Sequence, residues 1–245
     1  MKAGLSLIVT RPQPDADFTG LKLRELGHRP LLAPALEFLP LTGRLPEPDK
    51  LNGLVATSAN ALRALKERGV LQRYQHLPAF VVGAATAETA RAFGFGTVIS
   101  ADGSATELAI LLRKVKQPMR LLYAAGRDRA ADLVAMLRAA RHLVITTPVY
   151  EMRPIPDLPT AVILALDAAA VDAALFYSVR SARAFAAAAR PATAAAFDLP
   201  CLCLSPGIAD ALAEEGFSRL HAARKPSEAA LFDLLATFAA TQNSP

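Results

Sequence analysis

The residues of this 245-residue chain best suited to hold an anion are small or hydroxylic and recur in short turns. These turns are Thr10-Arg11, Thr57-Ser58-Ala59-Asn60, Gly83-Ala84-Ala85-Thr86-Ala87, Gly126-Arg127, Ser178-Val179-Arg180-Ser181 and Ser205-Pro206-Gly207. Each lies between a short apolar run and a helix-length segment, where backbone N–H groups and the positive end of a helix dipole can face a ligand. Ser, Thr and Asn are also ordinary helix N-caps, which explains any one turn alone. Their repetition favours an anion site whose candidate residues are Arg11, Thr57, Ser58, Asn60, Gly83, Thr86, Ala87, Gly126, Arg127, Ser178, Arg180, Ser205 and Gly207.

Other chemistries lack their parts. Gly94 and Gly96 begin a G-x-G that meets Ile99, and no phosphate-binding G-x-x-x-x-G-K-[ST] or G-x-S-x-G elbow occurs. The carboxylates Glu37, Glu88, Glu107, Glu151, Asp128 and Asp210 fall on helix or linker positions rather than in pairs. Cys201 and Cys203 would share one strand face, but His28, His76, His142 and His221 show no ligand spacing, so two buried free thiols are expected and no metal or cofactor. The net charge of +5, carried mostly by Arg, suits an anionic partner, whereas 6% aromatic content without Trp argues against a single-strand nucleic-acid platform. The longest apolar stretch, 161–177, is broken by Asp167 and Asp172, and the run from Leu5 to Val9 is too short for a secretory signal. A cytoplasmic monomer without membrane or nucleic-acid contacts is expected.

Short apolar runs alternating with amphipathic segments argue for βαβ units and a parallel sheet, hence an α/β fold. Strands are predicted over 4–10, 29–33, 51–57 and 79–82, and helices over 15–26, 60–68, 86–93 and 106–114. The order of elements then recurs. Ser58 aligns with Ser178, Ala87 with Ala209 and Ser104 with Ser227. A third unit, "LLYAAGRDRAADLVAMLRAARHLVITTPVY", aligns with the start of the chain and sets Leu137 on Leu23, His142 on His28 and Pro148 on Pro34. This unit opens the first copy but closes the second. Such an order arises if 1–34 plus 160–245 form one domain and 50–148 an inserted second, joined by Pro-containing linkers at 35–49 and 149–159. A cleft between two such domains is the expected binding site.

The ordered set "VTRP" (9–12), "TSAN" (57–60), "VGAATA" (82–87), "AAGR" (124–127), "PVYE" (148–151) and "FYS" (176–178) resembles uroporphyrinogen-III synthase along nearly the whole chain. The resemblance implies two interleaved flavodoxin-like parallel-sheet domains joined by a two-stranded linker, with a cleft between them. It also implies a cofactor-free lyase that closes hydroxymethylbilane, a polycarboxylate, into uroporphyrinogen III. Water is lost and the last ring is inverted through a spiro intermediate. Tyr150 matches the family's linker tyrosine and is the candidate acid for the leaving hydroxyl, the alternative being a half-buried tyrosine between apolar linker and water. Two departures stand out. Ser205-Pro206-Gly207-Ile208-Ala209 replaces a second G-x-x-T-A, and Val179-Arg180 stands where a small residue or Pro is usual. A non-enzymatic two-domain anion binder or sensor is the alternative function.

Overall fold

The computed structural model describes residues 4–101, 104–128 and 132–242. Residues 1–3, 102–103, 129–131 and 243–245, which the sequence-assigned domains include, lie outside the described residues. The chain divides into two units: one holds residues through Glu37 and from Arg153 onward, the other Phe38–Met152. Both are α/β, each built on a sheet whose strands are mostly parallel.

The first unit contains β1 (Ser6–Val9), α1 (Asp15–Glu25) and β2 (Arg29–Leu32), then α6 (Thr160–Asp167), β9 (Ala173–Phe176), α7 (Val179–Ala189), β10 (Cys201–Cys203), α8 (Pro206–Glu214), β11 (Leu220–Ala222) and α9 (Glu228–Gln242). Its strands run parallel in the order β11-β10-β9-β1-β2. The second unit contains β4 (Gly53–Ala56), α2 (Ala59–Glu67), β5 (Ala79–Val82), α3 (Ala84–Ala92), β6 (Val98–Ala101), α4 (Ala105–Arg113), β7 (Arg120–Gly126) and α5 (Asp132–Ala139). Strands β3 (Leu36–Pro40) and β8 (Leu143–Pro154) complete a sheet of order β3-β8-β7-β4-β5-β6.

Helices on both faces explain why the central strands β4 and β9 are apolar and buried at every position. On β4, Leu54 and Ala56 pack beneath α2 and α3, while Val55 faces the opposite cluster containing Leu108, Leu112, Leu133 and Leu137. Each such fully buried leucine contributes about 1.5–3 kcal/mol through removal of apolar surface from water.

Setting β7 and β8 on β1 and β2 makes the two parallel sheets coincide in spatial order, although the matched pair comes first in one unit and last in the other. Hydrogen bonds repeat with it. Leu5 N–H donates to His28 Nδ1 at 3.2 Å, and Met119 N–H donates to His142 Nδ1 at 3.0 Å. The helix ends repeat as well: Gly27 and His28 N–H bond the Arg24 and Leu23 carbonyls, as Arg141 and His142 N–H bond those of Arg138 and Leu137.

Several predicted bounds shift for physical reasons. Helix α3 begins at Ala84, two residues before the expected start, because Gly83 turns the chain at φ 81°, ψ 151°, a conformation confined essentially to glycine. The segment read as a Pro-rich linker from 35 contains β3, which pairs antiparallel with β8 through Leu41 N–H to Val149 O and Ile155 N–H to Ala35 O. Its Pro40 is tolerated because β3 is an edge strand. Strand β8 likewise runs on through Pro154. Cys201 and Cys203 are fully buried free thiols on β10. Burial pushes both thiol pKa values up, that of Cys203 to about 12, so neither is a ready thiolate.

Candidate functional site

In the second unit, Thr57, Gly83 and Arg127 directly follow β4, β5 and β7 at their carboxyl ends, and Gly126 is the last residue of β7. Tyr150 lies on β8 opposite Gly126. The order β8-β7-β4-β5 places these positions side by side along one sheet edge. Helix α2 is capped by Ser58, whose Oγ accepts from Asn60 N–H at 3.2 Å. The Asn60 side chain accepts from Arg63 at 2.8 Å and approaches Met152 Sδ at 3.6 Å. Thr57 Oγ1 lies 3.1 Å from the hydroxyl of Tyr123, a buried residue on β7. Sequence reasoning passed over Tyr123 because its run, "LLYAAG", reads as continuous core.

At α3, the N–H groups of Ala84, Ala85 and Thr86 precede the first intrahelical bond, which Ala87 N–H makes to Gly83 O at 3.1 Å. The Ala87 amide is thus engaged within the helix. Thr86, expected at the helix start, lies in the first turn and is buried. Arg127 donates its backbone N–H to Tyr150 O at 2.8 Å, and its guanidinium pairs with Glu151. A register shift opposite Ala125 and Gly126 sets Ala125 against Pro148 but Gly126 against Tyr150. The Tyr150 ring lies over Gly126 and is 5.8 Å between centroids from Phe38.

In the first unit the corresponding edge is more occupied by the protein itself. Thr10 is fully buried and donates its hydroxyl to Leu175 O at 2.8 Å. Arg11, expected to bind an anion, bonds Glu228 at 2.7 Å and Asp15 at 3.2 Å and stacks 4.4 Å over the Tyr177 ring. Lys22 joins the same Glu228 at 2.5 Å. Burial raises the Tyr177 phenol to about 12, so it is protonated at neutral pH. Ser178 caps α7 by accepting from Ser181 N–H at 3.0 Å. Arg180 lies exposed in the first turn of that helix. Ser205 precedes α8 without a side-chain capping bond, and the space around Gly207 is open.

The helix starts differ in electrostatics. Acidic residues occupy the first turns of α1 (Asp15, Asp17), α4 (Glu107), α5 (Asp132) and α9 (Glu228), where they satisfy the helix dipole internally. The first turns of α2, α3, α6, α7 and α8 carry none. Apart from α6, these follow the equivalent strands β4, β5, β9 and β10, so the repeat leaves the same two strand-end helices without a first-turn acid in each unit. Among the described residues, no group of three or more His, Cys, Asp or Glu side chains could hold a metal ion. No helix among them is long and apolar enough to cross a membrane.

Parallel-sheet α/β units with small-residue turns at the strand ends define a class of protein that receives ligands at that edge. A sequence model of the family described as "Uroporphyrinogen-III synthase HemD" matches residues 18–233, and the chain belongs to the uroporphyrinogen-III synthase family. A solved uroporphyrinogen-III synthetase from Helicobacter pylori 26695 is 20% identical, with 95% of this chain and 99% of that one covered at a TM-score of 0.64. A mutant uroporphyrinogen III synthase from the extremely thermophilic bacterium Thermus thermophilus is 21% identical, with 98% and 100% covered at 0.57. Both share the fold. Family membership makes the chain an enzyme of tetrapyrrole biosynthesis, a cyclising lyase acting on a small tetrapyrrole.

Proposed function

We propose that Tyr150 is the acid of the cyclisation and that the open helix ends hold the substrate's carboxylates. On this reading hydroxymethylbilane lies in a cleft between two interleaved flavodoxin-like domains, 1–34 plus 160–245 and 50–148, joined by the linkers 35–49 and 149–159. The Tyr150 phenol donates its proton to the hydroxyl leaving the first ring, which departs as water. The azafulvene so formed is attacked by the last ring through its substituted carbon. The spiro intermediate then fragments and recloses with that ring inverted, and the proton shed on closure restores the phenol. The remaining task is to hold both chain ends together, a proximity effect.

The observation that carries this reading is the place of Tyr150. It is half-buried and paired with Gly126 at the carboxyl end of β7, two strands from the turn at Thr57 and three from the turn at Gly83. Amides at Ala84, Ala85 and Thr86, the turn at Ser58, the Arg127 guanidinium, and the α7 and α8 starts with Ser178, Arg180, Ser205 and Gly207 are proposed to receive carboxylates. Arg11 is proposed to tie α1 to α9, since two carboxylates of the protein already neutralise it. The non-enzymatic anion-binder reading is not favoured by the family match.

Purified protein given fresh hydroxymethylbilane is expected to yield the type III isomer. Tyr150→Phe should lower turnover about 10²-fold with substrate affinity nearly intact. Unchanged turnover would return Tyr150 to a structural role.

A further inference from the structure

Tyr150 occupies a seat that the sequence alone does not reveal. A Cβ built on Gly126 would stand 3.0 Å from both Cζ and the hydroxyl oxygen of Tyr150 and 3.3 Å from Cε2. The missing side chain of Gly126 is thus the space the phenol fills. The ring of Phe38 stands beside it, tilted by 35°. A β-bulge aims the residue: successive residues of a regular strand face opposite sides, yet Val149 and Tyr150 pack against the same cluster. The bulged backbone is tied by Arg127 N–H to Tyr150 O, and the Arg127 guanidinium pairs with Glu151, the next residue.

We propose that Gly126 and Phe38 are positioning residues, two walls that fix where the Tyr150 phenol delivers its proton. This rests on Tyr150 being the acid. Gly126 then acts through the side chain it lacks rather than as an amide for substrate. An added methyl group would push the phenol by a few tenths of an ångström, because the contacted atoms are the far end of a side chain. The ring would remain in the protein but no longer in line with the leaving hydroxyl.

The test is a double-mutant cycle on the full chain, with kcat, KM and thermal midpoint measured for Gly126→Ala, Tyr150→Phe and the pair. Misplacing a reacting group by about 1 Å can cost about 10²-fold, so Gly126→Ala should lower kcat about 10-fold with KM within about twofold. The pair should be no slower than Tyr150→Phe alone, because the displaced group no longer donates. Wild-type kcat in Gly126→Ala, or a defect that multiplies in full onto Tyr150→Phe, overturns the positioning role while leaving Tyr150 as the acid. Full activity in Tyr150→Phe removes the acid assignment and this proposal with it. If Gly126→Ala fails to fold, Phe38→Leu, which removes the other wall without adding an atom, decides by the same cycle. It should lower kcat in the Tyr150 enzyme and leave Tyr150→Phe unchanged.

Discussion

Replacing Arg141 by glycine should stabilise the protein, and the internal repeat supplies the control. Arg141 ends α5 with φ 68°, and its counterpart Gly27 ends α1 with φ 82°. The two ends share the same pair of closing hydrogen bonds, the arrangement in which a residue just past the helix adopts the left-handed conformation. That conformation costs a non-glycine residue about 1–2 kcal/mol, against which glycine's extra freedom in the unfolded chain costs about 0.5–1 kcal/mol. The net expectation for Arg141→Gly is a gain of about 0.5–1 kcal/mol. For a chain of this size that is a rise of about 1–4 °C in the thermal midpoint. Gly27→Ala should lose a similar amount purely through its backbone, since nothing lies within 4 Å of an added Cβ there. Urea denaturation and thermal scans of the two variants measure both signs. Because this turn enters the amino end of β8, kcat should not change. An Arg141→Gly protein no more stable than the parent, together with an unaffected Gly27→Ala, would refute the reasoning.

Two other perturbations follow from the ionic and titratable groups. Glu228→Gln should cost about 1 kcal/mol by loosening the partly buried pairs to Arg11 and Lys22, with turnover retained; loss of turnover without loss of stability would return Arg11 to substrate binding. Burial lowers the pKa of His28 below its ordinary 6.5, and its Nδ1 accepts a backbone hydrogen bond, so the folded state favours the neutral ring. The unfolded chain therefore binds the proton more readily. Stability should fall as pH drops below about 6.5, and His28→Gln should flatten that part of the profile in pH-dependent urea titrations; an unchanged slope would exclude His28 as its source.

The α/β class and most elements were legible in the sequence because they depend on local periodicity. Apolar runs such as "GLVA" and "AALF" mark strands covered on both faces, and Gly27, Gly69, Gly94 and Gly216 mark helix ends at positive φ. The aligned His28 and His142 accept the same backbone hydrogen bond in the structure, since both partners move together by the same offset. Strand β3 was not legible, because Leu36–Pro40 extends only by pairing with β8, more than a hundred residues onward.

Within the candidate site, the sequence by itself determined which residues could stand at the strand ends: the hydroxyls, glycines and arginines of the turns, and a tyrosine on the returning strand. Tertiary structure decided their partners within the protein. Arg11 is neutralised by Glu228, 217 residues away, Thr57 faces the buried Tyr123, and Ala87's amide closes the turn that Gly83 opens. A one-residue bulge and the absence of a side chain at Gly126 set the direction of Tyr150. The difference is physical: a turn's chemistry is written in adjacent residues, whereas the partner that occupies a charge or walls a ring arrives only when distant strands come into register.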